Sequence, residues 1–587
     1  MNHPTICLNM IVRNEAHIVH ELLDCIAPYI SSWVIVDTGS EDGTQDIIRT
    51  HMAKLGIPGE LHERPWKNFG HNRSEALDLA QGHADYIWVV DADDLVVGTP
   101  DFSQLNADSC ELRYGPADGF TYWRQQIFRN GLRWQYVGVV HECIVCDQPY
   151  QMQRLMGDYH LDSRRLGGRN LDPQKYARDA DLLLAEVERD PEDARSVFYL
   201  AQSYFDLGDY ANARRWYQRR SEMGGWEEEV YYSLFRVGES MLQLDEPWPD
   251  IQDVWLRAWE TRPTRAEALH SIACHYRKQG RYQLGHFFAQ RAASIPVPEA
   301  DILFVWAAAH SSAARDEQAV CASNLGRHSE AFALFRQLLA GENLAPEERV
   351  RIAVNRDFSV PAKLDIASAY PAAAVHAMHP RPDADVTVTV ACGSNLTGAE
   401  AALNSILNSC ADRSRISRLL VDDSELNEAE RALLRLRYPS AQSLDAAFTE
   451  SAGARLRHIY DSVGTRFWLH VGTGWRFFAP ERLLSRLAAV LDSEPDVVSV
   501  AVNFEDATGL TGRNASEEIV RRGVGTGRYV LTDRMPVGPS MVDTHRLAGM
   551  GGIDTSAADL QADLTARAQA AGLRTATLDE VLCIPNP

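Results

Sequence analysis

The sequence has no long hydrophobic run and only scattered cysteines. No stretch reaches the roughly eighteen consecutive apolar residues that a membrane-spanning helix needs, and no secretory signal peptide follows Met1. The ten cysteines show no spacing typical of a disulfide framework. These absences predict a cytoplasmic protein with reduced thiols that makes no membrane contact.

Positive charge is also scarce. The chain has 58 lysine and arginine residues against 81 aspartate and glutamate residues, a formal net charge of −23. Because nucleic acids are bound through basic patches that neutralise phosphates, this balance argues against nucleic acid as a partner. With 587 residues, the chain is long enough for several domains that each bury their own core.

One stretch combines a buried-type strand with a cluster of acids. Tyr86 to Val90 are apolar or aromatic, a run suited to a strand buried on both faces. Asp91, Asp93 and Asp94 follow at its carboxyl end, where open α/β sheets bind their ligands. Carboxylates this close repel each other unless a cation lies between them, and hard oxygen ligands suit Mg²⁺ or Mn²⁺. The alternative is an acidic turn after a core strand.

Two strand-then-helix units precede this stretch. Residues 6–12 form an apolar pattern followed by Arg13-Asn14-Glu15 and an amphipathic helix. Residues 33–36 form a second apolar pattern that ends in Asp37, a glycine turn and Ser40 before the next helix. The alternation predicts a parallel sheet. An acid at a strand end, such as Asp37, can accept hydrogen bonds from a ribose or a base.

Four segments together resemble the ordered motifs of family 2 glycosyltransferases of the GT-A fold. They read Met-Ile-Val-Arg-Asn-Glu (10–15), Val-Asp-Thr-Gly-Ser-Glu-Asp-Gly-Thr (36–44), Phe-Gly-His-Asn-Arg-Ser-Glu-Ala-Leu (69–77) and Asp-Ala-Asp-Asp (91–94). The resemblance covers about residues 4–165. It implies a nucleotide-sugar donor with UDP expected, a divalent metal on the Asp-x-Asp motif, and transfer with inversion at the anomeric carbon.

The resemblance also implies roles for single residues. Asp37 matches the acid that binds uracil or ribose, Arg73 a basic residue near the pyrophosphate, and Asp93 the metal-binding acid. A planar guanidinium suits bidentate phosphate contacts. The implied nucleotide-binding set is Val12, Asn14, Glu15, Asp37, Ser40, Arg73, Asp91 and Ala92.

A late histidine and a basic turn complete the implied donor site. His160 lies where many GT-A enzymes place a histidine on the metal or the phosphates, and its alternative role is a hydrogen-bonded loop histidine. Arg164, Arg165 and Arg169 follow. They either reach the pyrophosphate or form a solvated basic turn.

The next segment is expected to face the acceptor. Residues 119–129 read as a strand, the Asn130-Gly131 turn is a strong hairpin signal, and residues 132–136 read as the partner strand. Inverting transfer needs a base that takes the acceptor's proton. Glu142 is the predicted base, and His141 is the alternative because its ordinary pKa lies near neutrality. A polar pair on an edge strand is the structural alternative for both.

Two cysteines near this pair have a spacing found in metal and redox sites. Cys143 and Cys146 lie beside His141, but no second ligand pair at zinc spacing is near them in the sequence. We expect them to occupy two faces of a strand.

Helices rich in alanine, leucine and aromatic residues follow from about residue 171. Similar patterns of small residues (glycine and alanine) and aromatic residues begin near residues 201, 238, 273 and 326. Their spacing resembles that of tetratricopeptide (TPR) repeats. Stacked repeats of this kind present a concave surface that commonly binds peptides or proteins. The alternative is that these helices only brace the flanking domains.

The C-terminal part resembles the N-terminal part. Val386–Ala391 and residues 419–421 read as strands, and Asp422 follows the second of them. Residues 467–471 read as a buried strand, but Gly472-Thr473-Gly474 follows where the acids would stand, and these residues offer no anionic metal ligand. Residues 550–554 resemble the family's Gly-Gly-x-Asp segment. We expect a GT-A-like domain without metal-dependent chemistry, which serves assembly or recognition. The alternative is a metal-independent transferase.

The sequence thus predicts an α/β plus all-α protein. The predicted parts are a catalytic GT-A domain (1–170), TPR-like repeats (171–345), a Pro- and Ala-rich linker (346–382) and a degenerate GT-A-like domain (383–587). The predicted function is metal-dependent transfer of a sugar to a protein or peptide acceptor, and the sequence leaves open whether the chain forms a homo-oligomer. The alternatives are a saccharide or lipid-linked acceptor, and a non-catalytic TPR scaffold with a vestigial nucleotide site.

Overall fold

The computed structural model describes residues 4–115, 120–164, 166–167, 174–341, 344–376, 382–444 and 452–586. The chain divides into two compact units, residues 1–317 and 318–587. The sequence boundaries near 170 and 345 do not coincide with this division, because the first unit contains both the N-terminal sheet and most of the helical repeats.

The first unit contains a mixed sheet flanked by helices. The strands in this part of the unit are β1 (Ile6–Val12), β2 (Ser32–Asp37), β3 (Gly59–Glu63), β4 (Tyr86–Val89), β5 (Asp94–Gly98), β6 (Ser109–Tyr114), β7 (Phe120–Arg129), β8 (Trp134–Val137), β9 (Cys143–Cys146), β10 (Met152–Arg154) and β11 (Tyr159–Ser163). Of these, β8 and β9 form a separate two-stranded sheet. The accompanying helices are α1 (Val19–Ile26), α2 (Thr44–Leu55) and α3 (Phe69–Leu79). Within the described residues the main strand order is β3-β2-β1-β4-β7-β6-β11-β5.

The apolar strands predicted near the N-terminus form the centre of this sheet. Strand β1 pairs in parallel with both β2 and β4, and β2 pairs in parallel with β3. Nearly every residue of β1, β2 and β4 is buried. The predicted α/β domain is confirmed, and the parallel pairing predicted from the strand–helix alternation is found for β1 to β4. Antiparallel pairings at β7 and β6 make the sheet a mixed one.

The predicted hairpin around Asn130-Gly131 is wrong in its pairing. The turn is present, with Gly131 at φ +90°, but β7 pairs with β4 and β6 instead of with β8. Because both edges of β7 are already occupied over this stretch, β8 pairs with β9. Cys143 and Cys146 are the terminal residues of β9, as expected for a strand.

The helical region of the first unit is built from consecutive antiparallel pairs. Its helices are α4 (Lys175–Arg189), α5 (Ala194–Asp206), α6 (Tyr210–Glu222), α7 (Glu227–Gln243), α8 (Trp248–Thr261), α9 (Glu267–Lys278) and α10 (Tyr282–Ala293). Gly208 and Gly280 adopt left-handed φ values of +78° and +69° in the turns within two pairs, which a side chain would strain. These pairs coincide with the repeat patterns in the sequence.

A short strand after the repeats joins them to the sheet. Strand β12 (Val305–Trp306) pairs antiparallel with the beginning of β7. Beside it, the Phe304 ring lies 6.2 Å from that of Tyr122 on β7 and 4.9 Å from that of Tyr232 on α7. Sheet and repeats therefore share a packed boundary inside one unit.

The second unit begins with helices where a linker was predicted. Its helical elements before the sheet are α11 (Ser312–Asn324), which begins in the first unit, α12 (His328–Leu339), α13 (Pro346–Asp357), α14 (Val360–Ser368) and α15 (Ala372–His376). The linker prediction for residues 346–382 is therefore wrong over 346–376. The prediction rested on the Pro- and Ala-rich residues 370–382, but Ala372–His376 form α15, and residues 377–381 lie outside the described residues. Pro346 and Pro361 lie in the first turns of α13 and α14, where a missing N–H costs nothing.

A second mixed sheet follows. Its unit contains β13 (Val386–Ala391), α16 (Leu396–Ser409), β14 (Ile416–Asp422), α17 (Glu428–Arg437), β15 (Ala441–Ser443), α18 (Ala452–Asp461), β16 (Phe467–Val471), β17 (Trp475–Phe477), α19 (Leu483–Ser493), β18 (Val497–Ala501), β19 (Arg521–Gly523), β20 (Gly527–Thr532), β21 (Ser540–Asp543), α20 (Thr544–Gly549), α21 (Leu560–Ala570), β22 (Arg574–Leu578) and β23 (Cys583–Pro585). The described sheet order is β15-β14-β13-β16-β21-β18-β22-β20-β19.

The two sheets share their arrangement over seven strands. The series β3-β2-β1-β4-β7-β6-β11 and β15-β14-β13-β16-β21-β18-β22 have the same order in the sheet and the same order along the chain. In both, the first four strands are parallel, the next two pairings are antiparallel, and the last is parallel. This correspondence supports a duplicated architecture.

None of the helices in the described part of the chain combines the length and apolar character that a bilayer crossing requires.

Close packing at a helical glycine yields a stability prediction. A Cβ added at Gly238 on α7 would lie 2.3 Å from Trp255 Nε1, whose N–H donates to the Phe235 carbonyl at 3.0 Å. We expect Gly238→Ala to lower the free energy of unfolding by about 1–3 kcal/mol, because overpacking displaces the buried indole. Thermal unfolding followed by tryptophan fluorescence measures the effect.

The control is Gly464→Ala, since an added Cβ there contacts nothing within 4 Å. Its unfolding free energy should stay within about 0.5 kcal/mol of that of the parent chain. Equal losses in the two variants would contradict the packing argument.

Candidate active site

The carboxyl ends of three parallel strands meet at one edge of the first sheet. Val12 at the end of β1 pairs with Asp37 at the end of β2, and Asn9 pairs with Val89 on β4. The Val12 carbonyl accepts hydrogen bonds from the Thr38 N–H at 2.9 Å and its hydroxyl at 3.0 Å. Residues after these strands are thus held side by side, at the edge where open α/β sheets bind ligands.

Asp37 is fixed on one oxygen and unpaired on the other. It is 1% exposed, and its Oδ1 accepts hydrogen bonds from the Gly39 and Ser40 N–H groups, both at 2.9 Å, and from Gln45 Nε2 at 3.1 Å. Its Oδ2 is buried without a hydrogen-bond partner among the described residues. Because an unpaired buried oxygen is costly, Oδ2 is an atom at which a ligand donor would be favourable.

The loops after β1 and β2 are tied together. Asn14 has a left-handed φ of +58°; its N–H donates to Ser40 Oγ at 2.9 Å, and its Oδ1 accepts from the Glu41 N–H at 2.9 Å. The Glu15 N–H donates to Thr44 Oγ1 at 2.9 Å. The structure therefore brings together Val12, Asn14, Glu15, Asp37 and Ser40 from the predicted nucleotide-binding set.

A buried arginine links the Asp-x-Asp motif to the predicted base. Arg73 on α3 is 5% exposed; its guanidinium binds Asp91 Oδ1, and its Nε lies 2.6 Å from Glu142 Oε1. Its Nη1 is buried without a hydrogen-bond partner among the described residues. Arg73 thus connects two carboxylates and keeps one further donor for a ligand.

Asp91 is held by two arginines. Arg124 on β7 donates from Nη1 to Asp91 Oδ2 at 2.9 Å, while Arg73 binds the other oxygen. Burial alone would favour the neutral acid, but the two guanidinium groups outweigh it and hold the pKa of Asp91 well below its usual range. With both oxygens paired, Asp91 acts here as an anchor for the arginines.

The other two acids of the motif have different surroundings. Asp93 Oδ2 accepts a hydrogen bond from the Gly167 N–H at 3.0 Å. Asp94 accepts a hydrogen bond from the Tyr114 hydroxyl at 2.6 Å, and burial together with the charge of Asp91 raises its pKa to about 7. The three carboxylates are therefore chemically distinct.

Asp93 has the donor set that a hard divalent cation needs. A Cβ built on Gly167 would lie 3.3 Å from Asp93 Oδ2 and 3.4 Å from Glu15 Oε1, so two carboxylate oxygens flank this glycine. Mg²⁺ is commonly held by one or two carboxylates, with water and substrate phosphates completing the coordination. These residues fit such an ion.

The loop that carries the predicted base rests on the first repeat helices. His141 has a left-handed φ of +51°, and its ring stacks on Tyr199 of α5 with centroids 4.1 Å apart and 4° between the planes. Arg195 Nε donates to the His141 carbonyl at 3.0 Å. Val140 is buried among the helical core residues. The side chain of Glu142 is 8% exposed, whereas His141 is exposed.

His160 is not among the residues brought to this edge. It pairs with Val97 on β5, whereas Ser163 pairs with Asp94. Three strand residues correspond to roughly 10 Å, so His160 stands away from the Asp-x-Asp motif. Arg164 is closer, since its Nε donates to the Asp93 carbonyl at 3.3 Å. Arg165 and Arg169 lie outside the described residues.

Sequence reasoning missed several residues of the site. Arg124, Tyr114 and Tyr199 contact Asp91, Asp94 and His141, respectively. They lie on a strand or helix that the motifs do not cover. Of these residues, only Arg124 could have been suspected, because it lies in the strand predicted after the acids. The sequence does not reveal that this strand pairs with β4.

At the corresponding edge of the second sheet, the acid at the end of the second strand is already paired. Asp422 pairs with Ala391 as Asp37 pairs with Val12. Its Oδ1 accepts from Ser424 Oγ at 2.7 Å, and its Oδ2 lies 3.2 Å from Arg455 Nε. Both oxygens of this acid are therefore occupied by the chain's own side chains.

Comparison with known proteins agrees with the motifs. The family model described as Glycosyl transferase family 2 matches residues 7–136. This segment is a family 2 glycosyltransferase domain. The match supports glycosyltransferase activity, for which family members generally use a nucleotide sugar and a divalent metal.

Relatives also cover the repeat helices. A protein from Synechococcus elongatus named TPR repeat-containing protein Synpcc7942_0270 is 24% identical over 315 residues, which are 49% of this chain and 74% of that protein. Similar solved structures include MamA (16% identity, 28% of this chain and 87% of that one, TM-score 0.23). They also include YrrB, a TPR protein with an unusual peptide-binding site (17% identity, 32% of this chain and 90% of that one, TM-score 0.24).

The buried position of Arg73 in the glycosyltransferase domain yields a second prediction. We expect Arg73→Lys to lower the free energy of unfolding by roughly 3 kcal/mol, because one ammonium cannot serve Asp91 and Glu142 in the same geometry and one buried carboxylate loses its partner. Denaturant unfolding followed by circular dichroism measures the loss.

Arg64→Lys is the matched control, since Arg64 pairs with Glu75 at 2.9 Å and both side chains are about one-third exposed. It should change the unfolding free energy by less than about 1 kcal/mol. If Arg73→Lys changes the unfolding free energy by no more than this control, the pairing of Asp91 and Glu142 with Arg73 does not stabilise the fold.

Proposed function

We propose that this chain is a metal-dependent, inverting glycosyltransferase that moves a sugar from a nucleotide-sugar donor, with UDP the favoured nucleotide, to a protein or peptide acceptor. The observation that carries the proposal is the buried, unpaired Asp37 Oδ2 at the same sheet edge as the Asp91–Arg73–Glu142 network. One site thus offers an acceptor for nucleoside donors, cationic groups for phosphates, and a carboxylate for proton transfer.

The donor is proposed to bind through Asp37 and Arg73. Asp37 Oδ2 would accept a hydrogen bond from the uracil N–H or a ribose hydroxyl, satisfying an oxygen that burial otherwise leaves unpaired. Arg73 Nη1, also unpaired, would donate to a diphosphate oxygen. The loop joined by Asn14 and Ser40 would keep these groups in register.

Asp93 is the proposed metal ligand, with Glu15 beside it. A bound Mg²⁺ or Mn²⁺ would supply positive charge to the diphosphate leaving group. Asp91 is not proposed as a ligand, because Arg73 and Arg124 bind its oxygens. His160 is left out of the proposed ligand set because of its distance along β11.

Glu142 is the proposed base. The acceptor oxygen attacks the anomeric carbon, the bond from that carbon to the diphosphate oxygen breaks, and the acceptor's proton passes to Glu142. The Arg73 guanidinium, whose Nε lies 2.6 Å from Glu142 Oε1, holds this carboxylate in place. His141 is the second candidate, because it stands next to Glu142 and histidine is a common general base.

A protein or peptide acceptor is supported by the packing of the base loop on helix α5. Tyr199 and Arg195 contact His141, next to Glu142. An acceptor segment bound along the repeat helices would therefore lie beside the base. A saccharide or lipid-linked acceptor is the alternative, and a catalytically silent TPR scaffold is disfavoured because the acids and their arginine partners are all present.

The second unit is proposed to be a GT-A-like domain without catalytic function. Asp422 is paired with Arg455, and Gly472-Thr473-Gly474 replaces the acids after β16. An acid that already has a guanidinium on one oxygen and a hydroxyl on the other gains little from a nucleoside donor. The domain would then serve recognition or assembly.

Removal of the metal ligand tests the donor site. UDP should bind at least about tenfold more tightly with Mn²⁺ than with EDTA, and Asp93→Asn should abolish this difference because it removes the ligand's charge. Calorimetry on the full chain measures both affinities. Asp162→Asn, an exposed acid on β11, is the control and should keep the difference. Equal binding with Mn²⁺ and EDTA in the parent chain would refute the metal role.

Loss of the proposed base tests the chemistry. We expect Glu142→Gln to bind UDP normally and to transfer sugar about 10²–10⁴-fold more slowly, since the amide cannot take the acceptor's proton. Intact-mass analysis of cellular proteins co-expressed with each variant reports the transfer.

Glu75→Gln, which also removes a carboxylate from an arginine pair, is the control and should retain full transfer. A Glu142→Gln chain that keeps more than about a tenth of the activity would place the base elsewhere, and His141→Gln is then the next variant.

The number of nucleotide-binding sites per chain tests the proposal that the second unit does not bind a donor. The full chain should bind one UDP in the presence of Mn²⁺, and Asp37→Ala should bind none. A Mn²⁺-dependent site that survives in Asp37→Ala would show that the second unit also binds donor.

A further inference from the structure

A second group of metal-ligating side chains lies in the repeat helices of the first unit. His270 and Cys274 stand one turn apart on α9, so both project from the same face of the helix. Glu317 on α11 reaches the same place. A histidine ring nitrogen, the cysteine sulfur and a glutamate oxygen all lie within 4.8 Å of one another. Among the described residues this is the one group of three such ligands.

The spacing of the first two ligands fits a tetrahedral metal site. His270 Nε2 lies 3.5 Å from Cys274 Sγ. In tetrahedral zinc sites the Zn–S bond is about 2.3 Å and the Zn–N bond about 2.0–2.1 Å, which puts sulfur and nitrogen about 3.5 Å apart. The pair therefore needs little rearrangement to hold an ion.

The surroundings of the group are those of a metal site. His270 is 7% exposed and Glu317 is 9% exposed. The Arg277 guanidinium binds Glu317 Oε2 and fixes the orientation of the carboxylate, as residues around metal ligands commonly do. The edge of the Trp306 ring meets the His270 ring at 4.9 Å and 88°. These contacts restrict both side chains before any ion arrives.

We propose that His270, Cys274 and Glu317 bind a zinc-type divalent transition metal, with water at the fourth position. The thiolate favours zinc over Mg²⁺ and Mn²⁺, which prefer oxygen ligands, so this site differs in selectivity from that at Asp93. On binding, the Cys274 thiol loses its proton to solvent as the metal–sulfur bond forms. The ion cross-links α9 to α11 and stabilises the end of the repeat helices in the first unit.

Co²⁺ is a suitable probe, because its bond to a thiolate gives a charge-transfer absorption band that oxygen and nitrogen ligands alone do not. The full chain, stripped of metal with a chelator, should develop this band with one equivalent of Co²⁺, and Zn²⁺ should displace it. Zn²⁺ should also raise the melting temperature. Cys274→Ser should lose the band and the rise. His270→Gln retains the thiolate, so it should keep a band but bind Co²⁺ about tenfold or more weakly, with a smaller rise in melting temperature.

The Cys143→Ser/Cys146→Ser double variant is the matched control, because it removes the half-buried cysteines of β9 and leaves α9 intact. It should keep the band at full intensity. A band that disappears in this control, or persists in Cys274→Ser, would overturn the proposal, as would the absence of any band in the parent chain.

Glu317→Gln keeps the test decisive if Cys274→Ser fails to fold. This variant retains the thiolate, so it should keep the band but bind Co²⁺ about tenfold or more weakly. An unchanged affinity in folded Glu317→Gln would remove Glu317 from the site and refute the three-ligand arrangement.

Discussion

The first unit depends on one buried guanidinium. Arg73 comes from helix α3, Asp91 from the end of a central strand and Glu142 from a loop after β8, and none of them is a neighbour of another in sequence. Leaving either buried carboxylate without its partner would be costly. The arginine therefore fixes the helix, the strand end and the base loop relative to one another, and this fixed geometry is what catalysis by orientation requires.

The same loop joins the repeat helices to the proposed active site. His141, next to Glu142, is stacked on Tyr199 and hydrogen-bonded to Arg195, and Val140 is buried in the helical core. Strand β12, which follows the repeats, adds to the edge of the sheet at β7. The proposed acceptor-binding helices therefore also position the loop of the proposed base, so the two functions are not separated into independent domains.

The parts that the sequence predicted are those governed by local pattern. The apolar run before Asp91, the strand-end position of Asp37 and the turn glycines of the repeats follow from residue types and spacing. The predicted β7–β8 hairpin does not form, because β4 and β6 occupy the edges of β7. The predicted boundary near residue 170 does not coincide with the division at residue 317, and β12, which follows the repeats, pairs with β7. Pairings between such distant segments cannot be read from local pattern. Composition alone likewise could not show that residues 372–376 of the Pro- and Ala-rich stretch form a helix.

The two sheets have the same strand order but differ in the acid with which an arginine at their edge pairs. Asp37 and Asp422 end equivalent strands, and both have one oxygen fixed by the local turn. In the first unit the nearby arginine pairs with Asp91, which leaves Asp37 Oδ2 unsatisfied. In the second unit no acid follows β16, and Arg455 pairs with Asp422 instead. With no acid directly after β16, Arg455 pairs with Asp422, so the second unit lacks both the acids and the unpaired oxygen on which the proposed donor site of the first unit depends.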